Sequence, residues 1–215
     1  MIEARGNRAA ILRAYNFFRP LYGSWAALLE RQAVAHGLEL AQAQSGERVL
    51  EVAVGTAAAF TRLRHQAGTH GYAIGVDLAP RMLAATRRRV PDAILVRADA
   101  RSLPFLADYF DLLWSSYLLD LIPTGELLPL LSEFRRVLRP AGRMVLVNLS
   151  KKDEEVTWWE RTYQLTPSWL VPYLFGGCRP IRAVPFVREA GFTEIEREFV
   201  CKGVGSEVII ARRPL

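Results

Sequence analysis

The sequence predicts an α/β fold: a seven-stranded, mostly parallel sheet with helices on both faces, an N-terminal helical cap and a C-terminal antiparallel β-hairpin. Three observations carry this. From Arg48 onward, short and nearly continuous apolar runs alternate with helix-length segments, as expected of parallel strands covered on both faces and their crossover helices. Near the end of the chain, two strand-like runs are joined by a short Gly-containing loop, the signature of a hairpin. With 215 residues, 51% hydrophobic and 23% charged, the chain is long and apolar enough to bury one substantial core.

The elements follow in order. Ile11, Leu12, Tyr15 and Phe18 stand at helical spacing, and a second helix is expected from Ser24 to His36, so residues 1–44 read as a helical cap. The core, residues 45–150, opens with the strand run Arg48 to Val54, a turn at Gly55 and a helix-length stretch to about Gln66. Gly71 to Asp77 is a second strand, followed by a helix from Pro80 to Val90. Ala93 to Asp99 is a third, and Phe110 to Ser115 a fourth. A helix from Gly125 to Leu138 leads through the turn Pro140-Ala141-Gly142 into a fifth strand, Arg143 to Leu149. Residues 151–182 are rich in Trp, Tyr and Pro and read as a lid. Residues 183–215 hold the last helix and the hairpin strands Thr193 to Cys201 and Glu207 to Ala211. No linker separates a second domain, so residues 1–215 are expected to form one.

Composition narrows the function classes. The two cysteines, Cys178 and Cys201, are too few for a disulfide framework and lack histidines at zinc spacing, so a cytoplasmic setting and no metal site are expected. The N-terminus has no apolar leader, and no apolar stretch is long enough to span a bilayer. The net charge of +6 favours an anionic partner, but the arginines are scattered. The one dense run, Arg87-Arg88-Arg89, ends a predicted helix, where cations offset the carbonyl dipole; a binding patch is the other reading. Nucleic acid is not an expected partner, and the sequence carries no signal of oligomeric state.

In an open parallel sheet, ligands bind at the carboxyl ends of the strands, beside the point where strand order reverses. The second strand ends on Asp77, 22 residues after Gly55, and the third on Asp99. A carboxylate at such a tip can accept both hydroxyls of a ribose; it can also cap the next helix, and Asp77-Leu78-Ala79-Pro80 resembles an N-cap with proline in the first turn. The first turn separates two nucleoside cofactors. A dinucleotide's pyrophosphate needs bare backbone at several points, whereas this turn offers Ala53, Gly55 and Ala57-Ala58. An NAD-type oxidoreductase is therefore the alternative rather than the leading reading.

At these motifs the chain resembles the Rossmann-like class I S-adenosylmethionine-dependent methyltransferases, particularly the ubiquinone/menaquinone C-methyltransferase and phospholipid N-methyltransferase branches. Val49 to Thr56 is similar to the family's first motif, Gly75-Val76-Asp77 with Met82-Leu83 to the second, and Arg97 to Ala100 with Leu103-Pro104-Phe105 to the third. Phe110-Asp111-Leu112-Leu113, Arg136 to Arg143 and Glu189-Ala190-Gly191-Phe192 continue the likeness. Tyr15 to Tyr22 is similar to the lid sequence before the core. The resemblance implies S-adenosyl-L-methionine as cofactor and S-adenosyl-L-homocysteine as product. Carried over by position, Glu51 and Gly55 hold the amino-acid end, Asp77 the ribose, Asp99 and the Ala100 backbone the adenine edge, and Ser115 lies near the methionine portion. Ala53, Thr56, Leu78 and Met82 complete the implied cofactor-binding set, and Tyr15 and Tyr22 close over it. The chain departs from the family's E-x-G-x-G-x-G pattern at Ala53 and Ala57. A methyl at Ala57 is expected to crowd the cofactor's carboxylate, and a fold that binds without turning over is a third reading.

A neutral amine needs little base assistance to accept a methyl, whereas a phenol or its ring carbon must lose a proton. The candidate catalytic residues are Tyr117 and Asp120, which follow the fourth strand, where the resemblance places acceptor-facing groups. Asp120 reads equally as an exposed polar residue within Leu118-Leu119-Asp120-Leu121-Ile122. Asp111 reads as structural, and His36, His65 and His70 lie away from that point. The aromatic segment from Val156 through Phe175 is either a helical cover for the core or a greasy pocket. The expected partner is a small, apolar or lipid-like acceptor, a phospholipid amine or a quinone-type ring. With the basic charge, this points to peripheral contact with an anionic membrane.

Overall fold

The apolar runs pair into a single sheet in the order β3-β2-β1-β4-β5-β7-β6. Its strands are β1 (Arg48–Val52), β2 (Tyr72–Asp77), β3 (Ile94–Arg97), β4 (Phe110–Ser116), β5 (Leu138–Leu149), β6 (Thr193–Val200) and β7 (Ser206–Arg212). The first five pair in parallel, and the β6–β7 hairpin adds to β5 in antiparallel fashion. The helices are α1 (Arg19–Ala41), α2 (Phe60–Ala67), α3 (Pro80–Arg89), α4 (Thr124–Val137), α5 (Trp158–Leu165) and α6 (Val184–Glu189), with a 3-10 turn at Leu119–Leu121. The structure, a computed structural model, describes residues 3–4, 19–152, 158–171, 177–201 and 205–215, with the backbone alone for 19–29 and 158–160.

Alternation along the strands sorts side chains to two faces. Leu50, Leu113, Met144 and Leu146 pack with Leu127, Leu131 and Phe134 of α4 on one face. Val49, Leu112, Trp114, Val145 and Val147 pack with α1 and α2 on the other. Both faces are buried, which is why the strands read as continuous apolar runs rather than alternating ones. Helix α1 lies so close that a Cβ at Gly37 would stand 2.8 Å from the Trp114 ring. Its carboxyl end is held by Arg143, which donates to the Ala41 carbonyl at 2.7 Å and pairs with Glu47 at 2.7 Å.

Several boundaries differ from the sequence-based expectation. The second cap helix runs over Arg19–Ala41 rather than Ser24 to His36, since no Gly or Pro after Gly37 stops it before Gln42 turns with φ +44°. Strand β3 is shorter than expected, because Asp99 leaves the ladder to bridge Ser102. Strand β5 begins at Leu138, before the Pro140-Ala141-Gly142 turn. That turn survives as a register shift: Phe110 faces Leu138, but Leu112 faces Arg143. Proline cannot donate to the ladder, Ala141 has φ +59°, and a Cβ at Gly142 would lie 2.8 Å from the Arg139 carbonyl. The first predicted helix and residues 202–204 of the hairpin loop lie outside the described residues.

Candidate functional site

Strand order reverses between β1 and β4, so their carboxyl ends part and leave a crevice above the sheet. The loop leaving β1 turns by visiting the left-handed region at alternate residues: Ala53 (φ +62°), Gly55 (φ +54°) and Ala57 (φ +65°). It is anchored from β2 and α3. The Gly55 amide donates to Asp77 Oδ2 at 2.9 Å, its carbonyl accepts from Thr86 Oγ1 at 2.9 Å, and the Thr56 carbonyl accepts from Arg89 Nη1 at 2.8 Å. Arg87 donates to the Pro91 and Ala93 carbonyls. Two of the three consecutive arginines therefore serve the helix end and the loop. Above the loop there is room: a Cβ at Gly55 would meet nothing nearer than the Ala53 carbonyl at 3.8 Å. Ala57 is 1% exposed and packed in the core cluster under the loop, so its methyl lies on the core side instead of crowding the crevice.

Two carboxyls meet at this crevice. Asp77 also accepts the Ala79 amide on Oδ1 at 2.8 Å; burial raises its proton affinity, against the pull of these backbone donors. The α3 cap predicted for this stretch takes this form: Ala79 is the cap residue, and the Asp77 carboxylate receives its amide. Glu51 is 2% exposed, and its Oε2 has no hydrogen-bond partner. Burial, then the charge of Asp77, pushes its carboxyl well above the usual range. A buried acceptor without a partner is costly, by about 1–3 kcal/mol. Such a pair accommodates a ligand bearing hydroxyl donors and positive charge, and opposes a pyrophosphate. The ribose hydroxyls, ammonium and sulfonium of S-adenosylmethionine fit this pair of acceptors.

The other expected cofactor residues are distributed around the crevice. Leu78 is half-buried after β2, and Met82 is buried on α3. Asp99 accepts three bonds from Arg101, through the backbone amide, Nε and Nη2, at 3.1, 3.1 and 2.9 Å, and Arg101 reaches on to Glu126. The Ala100 side chain packs partly on the core. Ser115, 1% exposed, donates to the Val52 carbonyl at 3.0 Å and so stitches β4 to β1 at the reversal point. Tyr22 lies in the backbone-only part of α1, and Tyr15 lies outside the described residues.

The two candidate catalytic residues are both engaged. Tyr117, in the left-handed region at φ +52°, bonds its hydroxyl to Ser206 Oγ at 2.9 Å, and burial pushes its phenol above the ordinary range. Asp120 is 0% exposed, which overturns the exposed reading. Its Oδ2 accepts the Leu149 amide at 2.9 Å where β5 outruns β4, and its carbonyl accepts from Arg179 Nη1 at 2.9 Å. Burial raises its carboxyl well above the usual range, and Oδ1 has no partner. Asp111 stands at the opposite end of the sheet, accepting from Arg48 and Arg139, as a structural residue should.

Four groups near the crevice were not legible from motifs. Asn148 is 0% exposed with both amide atoms unpartnered, and Arg179 is 0% exposed beside Asp120. Glu207, 0% exposed, accepts the Ala183 amide at 2.9 Å and Arg197 Nε at 2.6 Å. Glu30 faces the sheet from α1. Its spacing to Ala33, Val34 and Gly37 was the available signal, since it continues their stripe. Among the described residues, no three His, Cys, Asp or Glu side chains gather to hold a metal ion, and no helix is long and apolar enough to cross a membrane.

Comparison with known proteins agrees with this architecture. Residues 49–142 match the family model described as a methyltransferase domain. The demethylmenaquinone methyltransferase of Staphylococcus saprophyticus is 33% identical over 136 residues, covering 62% of this chain and 56% of that protein. That of Listeria monocytogenes is 27% identical over 144 residues, covering 65% of this chain and 59% of that protein. The chain thus spans little more than half the length of these relatives. Among solved structures, phosphoethanolamine N-methyltransferase 2 of Haemonchus contortus superposes with a TM-score of 0.70 at 14% identity, over 94% of this chain and 60% of that one. A SAM-dependent methyltransferase of Aquifex aeolicus gives 0.61 at 15%, over 86% and 93%. At these identities the likeness concerns the fold. Residues 49–142 thus resemble a methyltransferase domain, and the sheet that carries them shares the fold of these solved methyltransferases.

Proposed function

We propose that this protein transfers the methyl group of S-adenosylmethionine to a small apolar acceptor with a hydroxylated, quinol-type ring. The carrying observation is the pair Glu51 and Asp77 beside a loop with open space above Gly55: a buried and a half-buried carboxyl suited to hydroxyl donors and a cation. The cofactor supplies an electrophilic methyl on positive sulfur. In this reading Asp77 receives the ribose hydroxyls on the lone pairs its two backbone donors leave free, and Glu51 Oε2 receives the ammonium. Asp99, held by Arg101, borders the adenine. Orientation in such a crevice lowers the barrier by several kcal/mol, up to about 7–11.

The quinol-type acceptor is supported by the relatives named for demethylmenaquinone and by the carboxyl groups beyond β4, which a neutral amine would not require. Isothermal calorimetry with S-adenosylmethionine and with NAD tests the cofactor; binding of NAD alone would overturn it. Formation of S-adenosylhomocysteine with a naphthoquinol, phosphatidylethanolamine and histamine as acceptors tests the rest. Turnover of the quinol is expected, and turnover of the phospholipid alone would shift the reading to an amine acceptor at an anionic membrane surface. Binding of S-adenosylmethionine with no turnover of any acceptor would leave a binding module.

A further inference from the structure

The carboxyl ends of β4 and β5 carry a charge that the cofactor site does not use. Helix α1 runs antiparallel to the strands it covers: its carboxyl end meets Arg143, where β5 resumes after the Pro140-Ala141-Gly142 turn, and Gly37 lies over Trp114 and Val147 further along. Ala33, Val34, Gly37, Leu38 and Ala41 form the stripe that faces the sheet. Glu30 continues that stripe by one more turn. At about 1.5 Å per residue it lies roughly 10 Å beyond Gly37 along the helix, which brings it to where β4 and β5 end. A carboxyl at this position is out of keeping with an apolar face, and among the described residues it has no hydrogen-bond or ion-pair partner.

Glu30 belongs to a cluster. Its charge reaches both Tyr117 and Asp120 and makes each harder to ionise. Of the three, Asp120 is fully buried and bonded to the Leu149 amide, and Tyr117 is bonded to Ser206. Glu30 is partly buried, as Tyr117 is, and is the one of the three without a hydrogen-bond partner among the described residues, which leaves it for a second substrate. Burial raises its carboxyl to about 7, the range in which a general base is half ionised at neutral pH and so combines basicity with availability. The other titratable or charged groups facing the cluster are Cys178, near Tyr117, and Arg179 and Glu207, near Asp120. On α1 itself, His36 is paired with Glu198.

We propose that Glu30 is the general base for the acceptor, an assignment that rests on the quinol-type reading above. The ionised carboxylate takes the proton of the acceptor's ring hydroxyl. The electron pair released into the ring forms the new bond from ring carbon to methyl, while the bond from sulfur to methyl breaks and its pair stays on sulfur. Loss of the hydrogen from the methylated ring carbon restores the aromatic ring and its hydroxyl. The balance is one methyl gained by the acceptor, one neutral thioether and one proton delivered to solvent. Tyr117 and Asp120 are positioning residues in this scheme; they shape the wall behind Glu30 and keep its environment poorly hydrated.

The test uses the full chain, S-adenosylmethionine and a short-chain naphthoquinol kept reduced. The wild-type kcat/KM should rise with pH through a limb near 7. Glu30→Gln should lose about 100-fold or more in kcat and lose the limb, while cofactor affinity by calorimetry stays within about twofold. Glu30→Asp should keep the limb at reduced rate and shows that the site tolerates substitution. A Glu30→Gln variant with the wild-type rate, or with the limb intact, overturns the assignment of the base alone. A wild-type protein that binds S-adenosylmethionine but leaves the quinol unmethylated overturns the acceptor reading, and the base with it.

Discussion

The Asp77 carboxylate accepts the Gly55 amide at 2.9 Å across 22 residues of chain, so the tip of β2 and the loop leaving β1 hold each other in place. The carboxylate proposed to take the ribose therefore also shapes the turn under the amino-acid end. Asp77→Ala removes both roles. S-adenosylmethionine affinity, measured by calorimetry, is expected to fall at least tenfold, equivalent to about 1.4 kcal/mol. Asp77→Asn should fall nearly as far, because the amide nitrogen must face either the Gly55 or the Ala79 N–H. Unchanged affinity in both would remove Asp77 from the site.

The loop's two alanines share a left-handed strain but differ in burial. A left-handed non-glycine residue costs about 1–2 kcal/mol, and the entropy that glycine adds to the unfolded chain offsets about 0.5–1 of the relief. Ala53 is half-buried at φ +62°, so Ala53→Gly should stabilise the fold by about 0.5–1 kcal/mol in urea unfolding. Ala57 is 1% exposed, and its methyl packs in the core. Losing that burial, worth about 0.8 kcal/mol, should leave Ala57→Gly close to neutral. Equal gains at the two positions would contradict the placement of the Ala57 methyl.

The strand ends and the crevice were legible because parallel strands covered on both faces are uninterrupted apolar runs, and Gly55, Asp77 and Asp99 punctuate their tips. What escaped depends on distant pairing. Asp120 sits in an apolar run that gives no sign of burial; its environment comes from Arg179, 59 residues later, and from the part of β5 that extends past β4. Glu30 is one of two acidic residues on a long helix, and only the packing of α1 on Trp114 and Val147 shows which way it faces. Arg197 and Glu207 pair across the hairpin, and nothing in their local sequence marks the carboxylate as fully buried.

That hairpin pair leads to a sharp expectation. Glu207 is 0% exposed and depends on Arg197 and the Ala183 amide for its charge. Removing one partner of a buried pair strands the other, at about 3–5 kcal/mol. Arg197→Ala should destabilise by about that much in chemical denaturation, whereas Arg197→Ala combined with Glu207→Gln should recover a substantial part of the loss. Additive losses would show that Glu207 does not need the arginine.

Glu30 also marks stability against pH. Burial raises its carboxyl from 4.5 to about 7 in the folded protein. A raised acid holds its proton more tightly when folded, so its stabilising share is complete below the unfolded value and is lost as pH rises through the folded one. Across that window the loss amounts to at most about 3 kcal/mol. Glu30→Gln should therefore match the wild type below about pH 4 and exceed it by about 1–3 kcal/mol at pH 8 in urea unfolding. An equal gap at both pH values would mean that Glu30 ionises as it does in water.

Asp111 should behave in the opposite sense. Burial works against its charge, but the bonds from the Arg48 amide and side chain and from Arg139 outweigh it and hold the carboxyl below the usual range. A depressed acid stabilises above its unfolded value, here 3.8, and that contribution is lost as pH falls through the folded value. Asp111→Asn should cost about 1–3 kcal/mol at pH 7, with the gap to wild type closing in acid below the unfolded value. Because Asp111 lies at the amino end of β4, away from the crevice, the affinity for S-adenosylmethionine should not change. A variant that folds normally but no longer binds the cofactor would show that the two ends of the sheet are coupled.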